Sequence, residues 1–146
     1  MTSASPKPTS SLLYSVKRLE LAIRSHLDEM LRGSGITTLQ YTALTVLARR
    51  DGISAAQLAR DSFVTPQSMA DLVRALEQRE LIHRTPNPDS KRELLVYITE
   101  SGRGMLRDYA AAADAIEERM TAALTAGQTE EFRTTLGIAW SALRQH

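Results

Sequence analysis

Two helix-start signals stand almost back to back in the middle of this chain, and they constrain its fold more than any other feature. Ser54-Ala55-Ala56-Gln57 has the form of a capping box, in which a serine and a glutamine three residues later satisfy each other's free backbone donors. The helix it opens ends near Asp61. A few residues later Thr65-Pro66 supplies a second N-cap, with proline at the first helical position. A short helix is therefore followed, across a very short joint, by another.

The second helix has two distinct sides. Met69, Leu72, Val73 and Leu76 recur at one-turn spacing and make one apolar stripe. The opposite side shows Gln67, Ser68, Asp71 and Arg74. A bland surface helix more often carries long Glu/Lys pairs, so this face is either simply solvated or reads a partner. Two helices joined this closely resemble a helix-turn-helix.

The flanking segments continue the pattern. Residues 1–9, rich in Ser, Thr and Pro, read as a flexible arm. A long amphipathic helix is expected to begin near Ser10 or Ser11, with Leu12, Val16, Leu19, Ile23, Leu27 and Met30 on one face, up to the breaker Gly33-Ser34-Gly35. Thr37-Thr38-Leu39-Gln40 is another capping box, predicting a helix from about Thr38 to Arg50 with Tyr41, Leu44 and Leu47 buried. After Leu81-Ile82, the segments His83-Arg84-Thr85 and Glu93 to Thr99 flank the turn-rich Pro86-Asn87-Pro88-Asp89-Ser90, which predicts a hairpin with a polar, basic tip. Leu94, Val96 and Ile98 alternate there with Glu93, Leu95 and Tyr97. Thr99 then starts a long helix with Met105, Tyr109, Ala112, Ile116 and Met120 on one face, and a last helix carries Phe132, Leu136, Trp140 and Leu143.

Composition narrows the function classes. With 146 residues, 42% of them hydrophobic, the chain suits one compact domain with or without an extension. No apolar run is long enough to span a bilayer and the N-terminus has no signal-peptide character, so a cytoplasmic location is expected. The absence of cysteine excludes disulfides, thiolate metal sites and cysteine nucleophiles from within the chain. His26, His83 and His146 lack partners at metal-ligand spacing, and no metal or other cofactor is expected. There is no P-loop, Gly-x-Ser-x-Gly, His-Glu-x-x-His or dinucleotide fingerprint, so an enzyme is rejected. Net charge is only +1, but Arg79, Arg84, Lys91 and Arg92 make the middle basic, while Asp108, Asp114, Glu117, Glu118, Glu130 and Glu131 make the C-terminal part acidic.

The ordered set Thr38-Leu39-Gln40-Tyr41, Leu58-Ala59, Val64-Thr65-Pro66-Gln67-Ser68-Met69, Leu72-Val73, Leu76-Glu77, Leu81-Ile82 with Arg84, Arg92, Val96, Ile98-Thr99 and Gly102 resembles the MarR family of bacterial transcription regulators. The resemblance implies a mainly α fold with a small β-hairpin wing: a winged helix-turn-helix lobe over 37–100, with dimerisation helices at 10–34 and 104–146 in a single domain over 10–146. One position departs from it. The family's wing has an Asp two places before its arginine, where this chain has Ser90; Asp89 stands one place earlier.

The expected partner is double-stranded DNA, read in the major groove by the helix that begins at Thr65. Gln67 suits adenine and Arg74 guanine; Ser68 serves a base or a phosphate. Asp71 either accepts from cytosine or pairs with Arg74. Thr65 and Ser62 at the helix start suit backbone phosphates, Arg84 is expected to join them, and Lys91 and Arg92 would reach the minor groove or adjacent backbone. A homodimer on a palindromic operator is expected, because two related helices reach half-sites one turn apart. The apolar stripes at Leu12 to Met30, Met105 to Leu124 and Phe132 to Leu143 exceed the needs of a small winged helix. The resemblance further implies repression, with release by a small aromatic or lipophilic effector; Tyr14, Arg18, His26 and Tyr109 are the candidates near such a pocket. The rival readings are an architectural, weakly sequence-specific DNA-binding protein and a winged-helix module for protein contacts.

Overall fold

The computed structural model describes residues 11–144. The expected N-terminal arm and His146 lie outside the described residues. Two compact units make up the fold, one reaching Ala110 and the other starting at Ala111.

In the first unit, α1 (Leu12–Met30) is capped by Ser11, whose hydroxyl accepts from the Tyr14 N–H. α2 (Thr38–Arg49) opens with the complete reciprocal box of Thr37 and Gln40. The next box is only half formed: Ser54 caps α3 (Ala55–Ser62), but the Gln57 side chain turns down the helix to donate to Asp61 and accept from Arg60. Asp61 also accepts from Arg50 at 2.9 Å, which ties the end of α2 to α3. α4 (Pro66–Gln78) follows from its Thr65 cap.

The hairpin gains a strand that the sequence did not announce. β1 (Ile53–Ser54) pairs antiparallel with β3 (Ser90–Ile98), which also pairs with β2 (Ile82–Asn87), giving a three-stranded sheet in the order β1-β3-β2. Ile53 and Ser54 are too few to show alternation, so only the pairing reveals them. Asp51 secures this edge, its carboxylate accepting from the Ile98 N–H at 2.9 Å and from Arg103 at 3.3 Å.

The core lies where α2, α3, α4 and the sheet meet. Leu44, Leu47, Leu58, Met69, Leu76 and Val96 are fully enclosed, and Met105 and Tyr109 of α5 (Glu100–Thr121) pack against this cluster. The predicted stripe Met69, Leu72, Val73 and Leu76 is buried in full. Leu94 departs from the expected alternation and is exposed, because it sits out along the wing beyond the reach of the core. Gly102 has a packing reason: a Cβ there would collide with the Leu81 carbonyl oxygen and come within 2.7 Å of Ile98 Cγ1.

In the second unit, α6 (Ala126–Arg144) begins with a further reciprocal box, Thr125 with Gln128. Ile116 and Phe132 are half-buried, while Ile138 and Leu143 stand out into solvent.

Candidate nucleic-acid interface

The geometry of α4 begins at its cap. Thr65 is extended, its hydroxyl accepts from the Ser68 N–H and donates to Ser68 Oγ, both at 3.1 Å, and Pro66 needs no amide partner. The helix start is thereby fixed, with Ser68 of the outer face as the partner of the cap. Gln67, Ser68, Ala70, Asp71, Arg74 and Gln78 are all exposed, opposite the buried stripe. The Gln67 side chain makes no hydrogen bond among the described residues, so both ends of its amide remain available. Arg74 Nη1 donates to Asp71 Oδ1 at 3.1 Å, and both groups stay well exposed. Of the two roles expected for Asp71, the structure shows the pair with Arg74; a guanidinium held by one nitrogen still has donors left for a guanine edge.

The wing is built around a break in register. Pro86 faces Leu94, but Asn87 faces Ser90, so Lys91, Arg92 and Glu93 bulge out of β3 at the tip. Proline lacks the N–H that would continue the ladder, which favours the break at this point. Asn87 holds the tip, its carbonyl oxygen accepting from the Asp89 N–H and its amide donating to Glu93, both at 2.9 Å. Asp89 is thus part of the turn, and Arg92 takes part in no ion pair among the described residues. Asn87 and Glu93 were invisible as partners in the sequence because only the bulge brings them together. Lys91 and Arg92 are exposed.

One expected backbone contact is corrected, and a second residue is engaged within the chain. The Ser62 side chain is buried, and its hydroxyl, without a hydrogen-bond partner among the described residues, is closed off from any phosphate. Arg84 has its fork engaged elsewhere: Nη2 donates to Glu77 Oε1 at 2.8 Å and Nε to Oε2 at 3.2 Å, bracing α4 against β2. The hydrogen-bonded Arg84 guanidinium holds the Glu77 carboxyl below its ordinary value, and Glu77 in turn raises Arg84. The sequence showed Arg84 as part of a basic stretch; the spacing of Glu77 and Arg84, on two different elements, gave no sign of the pair.

The four residues expected near an effector pocket go to three separate places. Arg18 lies over the Tyr14 ring, 5.8 Å from its centroid, on the exposed side of α1. His26, about 12 Å beyond Arg18 along the helix by its rise per residue, lines a shallow depression with Leu21, Asp28 and Arg32. Tyr109 packs on the core of the first unit.

The family profile described as "MarR family" matches residues 36–94, from the start of α2 to the wing. Over 133 residues the chain is 33% identical to the HTH-type transcriptional repressor Rv2887 of Mycobacterium tuberculosis, spanning 91% of this chain and 94% of that protein. The chain belongs to the MarR family. Its helices α3 and α4 are thus the helix-turn-helix of a MarR-family transcription regulator, and β2–β3 is the wing. A crystal structure of Rv2887 in complex with salicylic acid superposes with a TM-score of 0.71 at 31% identity, covering 90% of this chain and 98% of that one. The Staphylococcus aureus MepR–DNA complex has the same fold, with a TM-score of 0.79 at 21% identity over 92% of this chain and 99% of that one. Among the described residues of this MarR-family chain, no helix is long and apolar enough to cross a membrane.

Proposed function

We propose that this MarR-family regulator acts in the cytoplasm as a repressor, without catalytic activity, binding a palindromic operator as a homodimer. The observation that carries the reading is the outer face of α4. It offers an unengaged Gln67 and an Arg74 steered by Asp71, on a helix whose start is sealed by its own cap. Such a helix can enter the major groove with polar side chains toward the base edges. The bulged Lys91 and Arg92 then meet the neighbouring backbone or minor groove.

Dimer formation is supported by apolar surface that each unit leaves uncovered. Leu12, Leu13 and Val16 of α1 are 83%, 77% and 54% exposed, and Ile138 and Leu143 of α6 are 66% and 79% exposed. The likeness to Rv2887, solved with salicylic acid, supports a small aromatic acid as effector. Such a ligand lowers operator affinity only by binding better to a form whose recognition helices misfit the operator. Arg18, beside the Tyr14 ring, is the α1 cation offered to its carboxylate.

The test is selection of bound duplexes from a random pool by the purified full chain, followed by sequencing. A single inverted-repeat motif with half-sites about one helical turn apart is the expected result. A bound pool with no enriched motif would instead favour architectural binding.

A further inference from the structure

The turn between α3 and α4 carries a residue type that the fold does not call for. Phe63 closes α3 in the left-handed conformation, with φ 62° and ψ 38°, and its N–H bonds to the Ala59 carbonyl. The backbone state is an ordinary helix ending, but Gly or Asn adopts it at least cost, whereas a Cβ crowds the following carbonyl. Burial does not compensate, because Phe63 is 72% exposed. The other non-glycine residue at positive φ among the described residues is Glu80, which is polar and suited to its exposed position. A strained backbone bearing an exposed aromatic ring combines two local costs at one residue, and such costs gather where a side chain meets a partner.

Its position indicates which partner. Phe63 lies two residues before Thr65, the N-cap of α4, and so at the end of the helix whose first turns enter the groove. Apolar side chains, phenylalanine among them, recognise thymine there through its 5-methyl group. We propose that Phe63 is a specificity-determining residue that packs its ring on a thymine 5-methyl group in each half-site. This rests on α4 being the recognition helix. Among the polar readers Gln67 and Arg74, it adds an apolar one that distinguishes thymine from cytosine and from unmethylated uracil.

Replacing each half-site thymine of the selected operator by deoxyuridine removes only the methyl group, so anisotropy titrations of wild type, Phe63→Ala, Phe63→Gly and Gln67→Ala separate the possibilities. Wild type is expected to lose about fourfold in affinity per methyl group at one position of each half-site, from the transfer of a single buried carbon. Phe63→Ala and Phe63→Gly are expected to bind the thymine operator more weakly and to be indifferent to the replacement. Phe63→Gly is also expected to keep or raise the melting temperature, since glycine relieves the left-handed strain. The proposal is overturned if both Phe63 variants bind like wild type and still prefer thymine, or if Phe63→Gly melts well below wild type, which would make the ring a structural element. In those cases loss of binding by Gln67→Ala leaves the α4 reading standing. If Gln67→Ala also binds like wild type, the α4 reading falls and the Phe63 contact with it.

Discussion

Glu77 on the recognition helix and Arg84 on the first wing strand face each other in a two-pronged ion pair, at 2.8 and 3.2 Å. The pair joins the two elements proposed to meet DNA together, α4 and the wing. Both side chains remain about a third exposed, at 38% and 31%, so solvent screens the interaction. Its main effect is therefore geometric: it sets the angle of the wing to the helix.

Removing the brace by Arg84→Ala is expected to cost about 0.5–1 kcal/mol of folding stability, the upper range for an exposed pair because of its two-pronged geometry. Operator affinity should fall as well, with little change in base preference. Urea denaturation and operator titration check both, and an Arg84→Ala protein of unchanged stability and affinity would remove the brace from the account.

The same pair sets a pH dependence. Glu77 is held below its ordinary value of about 4.5 in the folded chain, mainly by its hydrogen bond to Arg84. A carboxyl lowered by folding contributes stability that is fully present above its unfolded value and disappears as pH falls through its folded value. Glu77→Gln should thus be less stable than wild type at neutral pH, and the difference should shrink as pH drops below about 4.5. Melting curves between pH 7 and pH 3 test this; a gap that stays constant would show that Glu77 does not titrate through this pair.

Arg74→Ala is expected to relax base preference at one position per half-site at a cost of about 1–3 kcal/mol. Asp71→Ala should leave Arg74 less well aimed and reproduce part of that loss. Competition with single-base operator variants reads the preference. Unchanged discrimination by Arg74→Ala would remove it from the base-reading set.

Arg92→Ala should weaken binding evenly across sequences and reduce the slope of affinity against salt by about one ion. Arg92 takes part in no ion pair among the described residues, so the loss should come from charge alone. Arg92→Lys is then expected to retain most of the affinity. A Lys variant as weak as the Ala variant would mean that Arg92 makes a geometrically specific contact.

Gly102 and Gly104 stand two residues apart on α5 and should respond in opposite directions to alanine. At Gly102 a Cβ meets the Leu81 carbonyl and Ile98, so substitution should cost about 1–3 kcal/mol. At Gly104 the nearest atom is Arg107 Nη2 at 3.6 Å, so alanine should stabilise the helix by about 0.5–1 kcal/mol. Thermal melts of the two variants decide this, and equal shifts would contradict the close approach at Gly102.

What the sequence disclosed follows from how local each signal is. Thr37, Ser54 and Thr65 announce their helices because a cap is written within four residues. The buried stripe of α4 and its polar counterface follow from periodicity alone. What stayed hidden depends on chain segments meeting across the fold: the strand Ile53–Ser54, the Asp51 bonds to Ile98 and Arg103, and the Glu77–Arg84 brace. Ser62 misled for the same reason. A serine next to a helix start resembles a phosphate ligand until packing turns it inward.

The central claim is that the outer face of α4 reads a DNA sequence. Fluorescence anisotropy on the selected palindromic duplex, with excess unrelated duplex present at physiological salt, tests it most directly for wild type and Gln67→Ala side by side. The account predicts competitor-resistant binding by wild type at two protomers per duplex, weakened at least tenfold in the variant, the effect of losing about 1.4 kcal/mol of base contact. Wild-type binding that competitor abolishes, with Gln67→Ala indistinguishable from it, would contradict the claim.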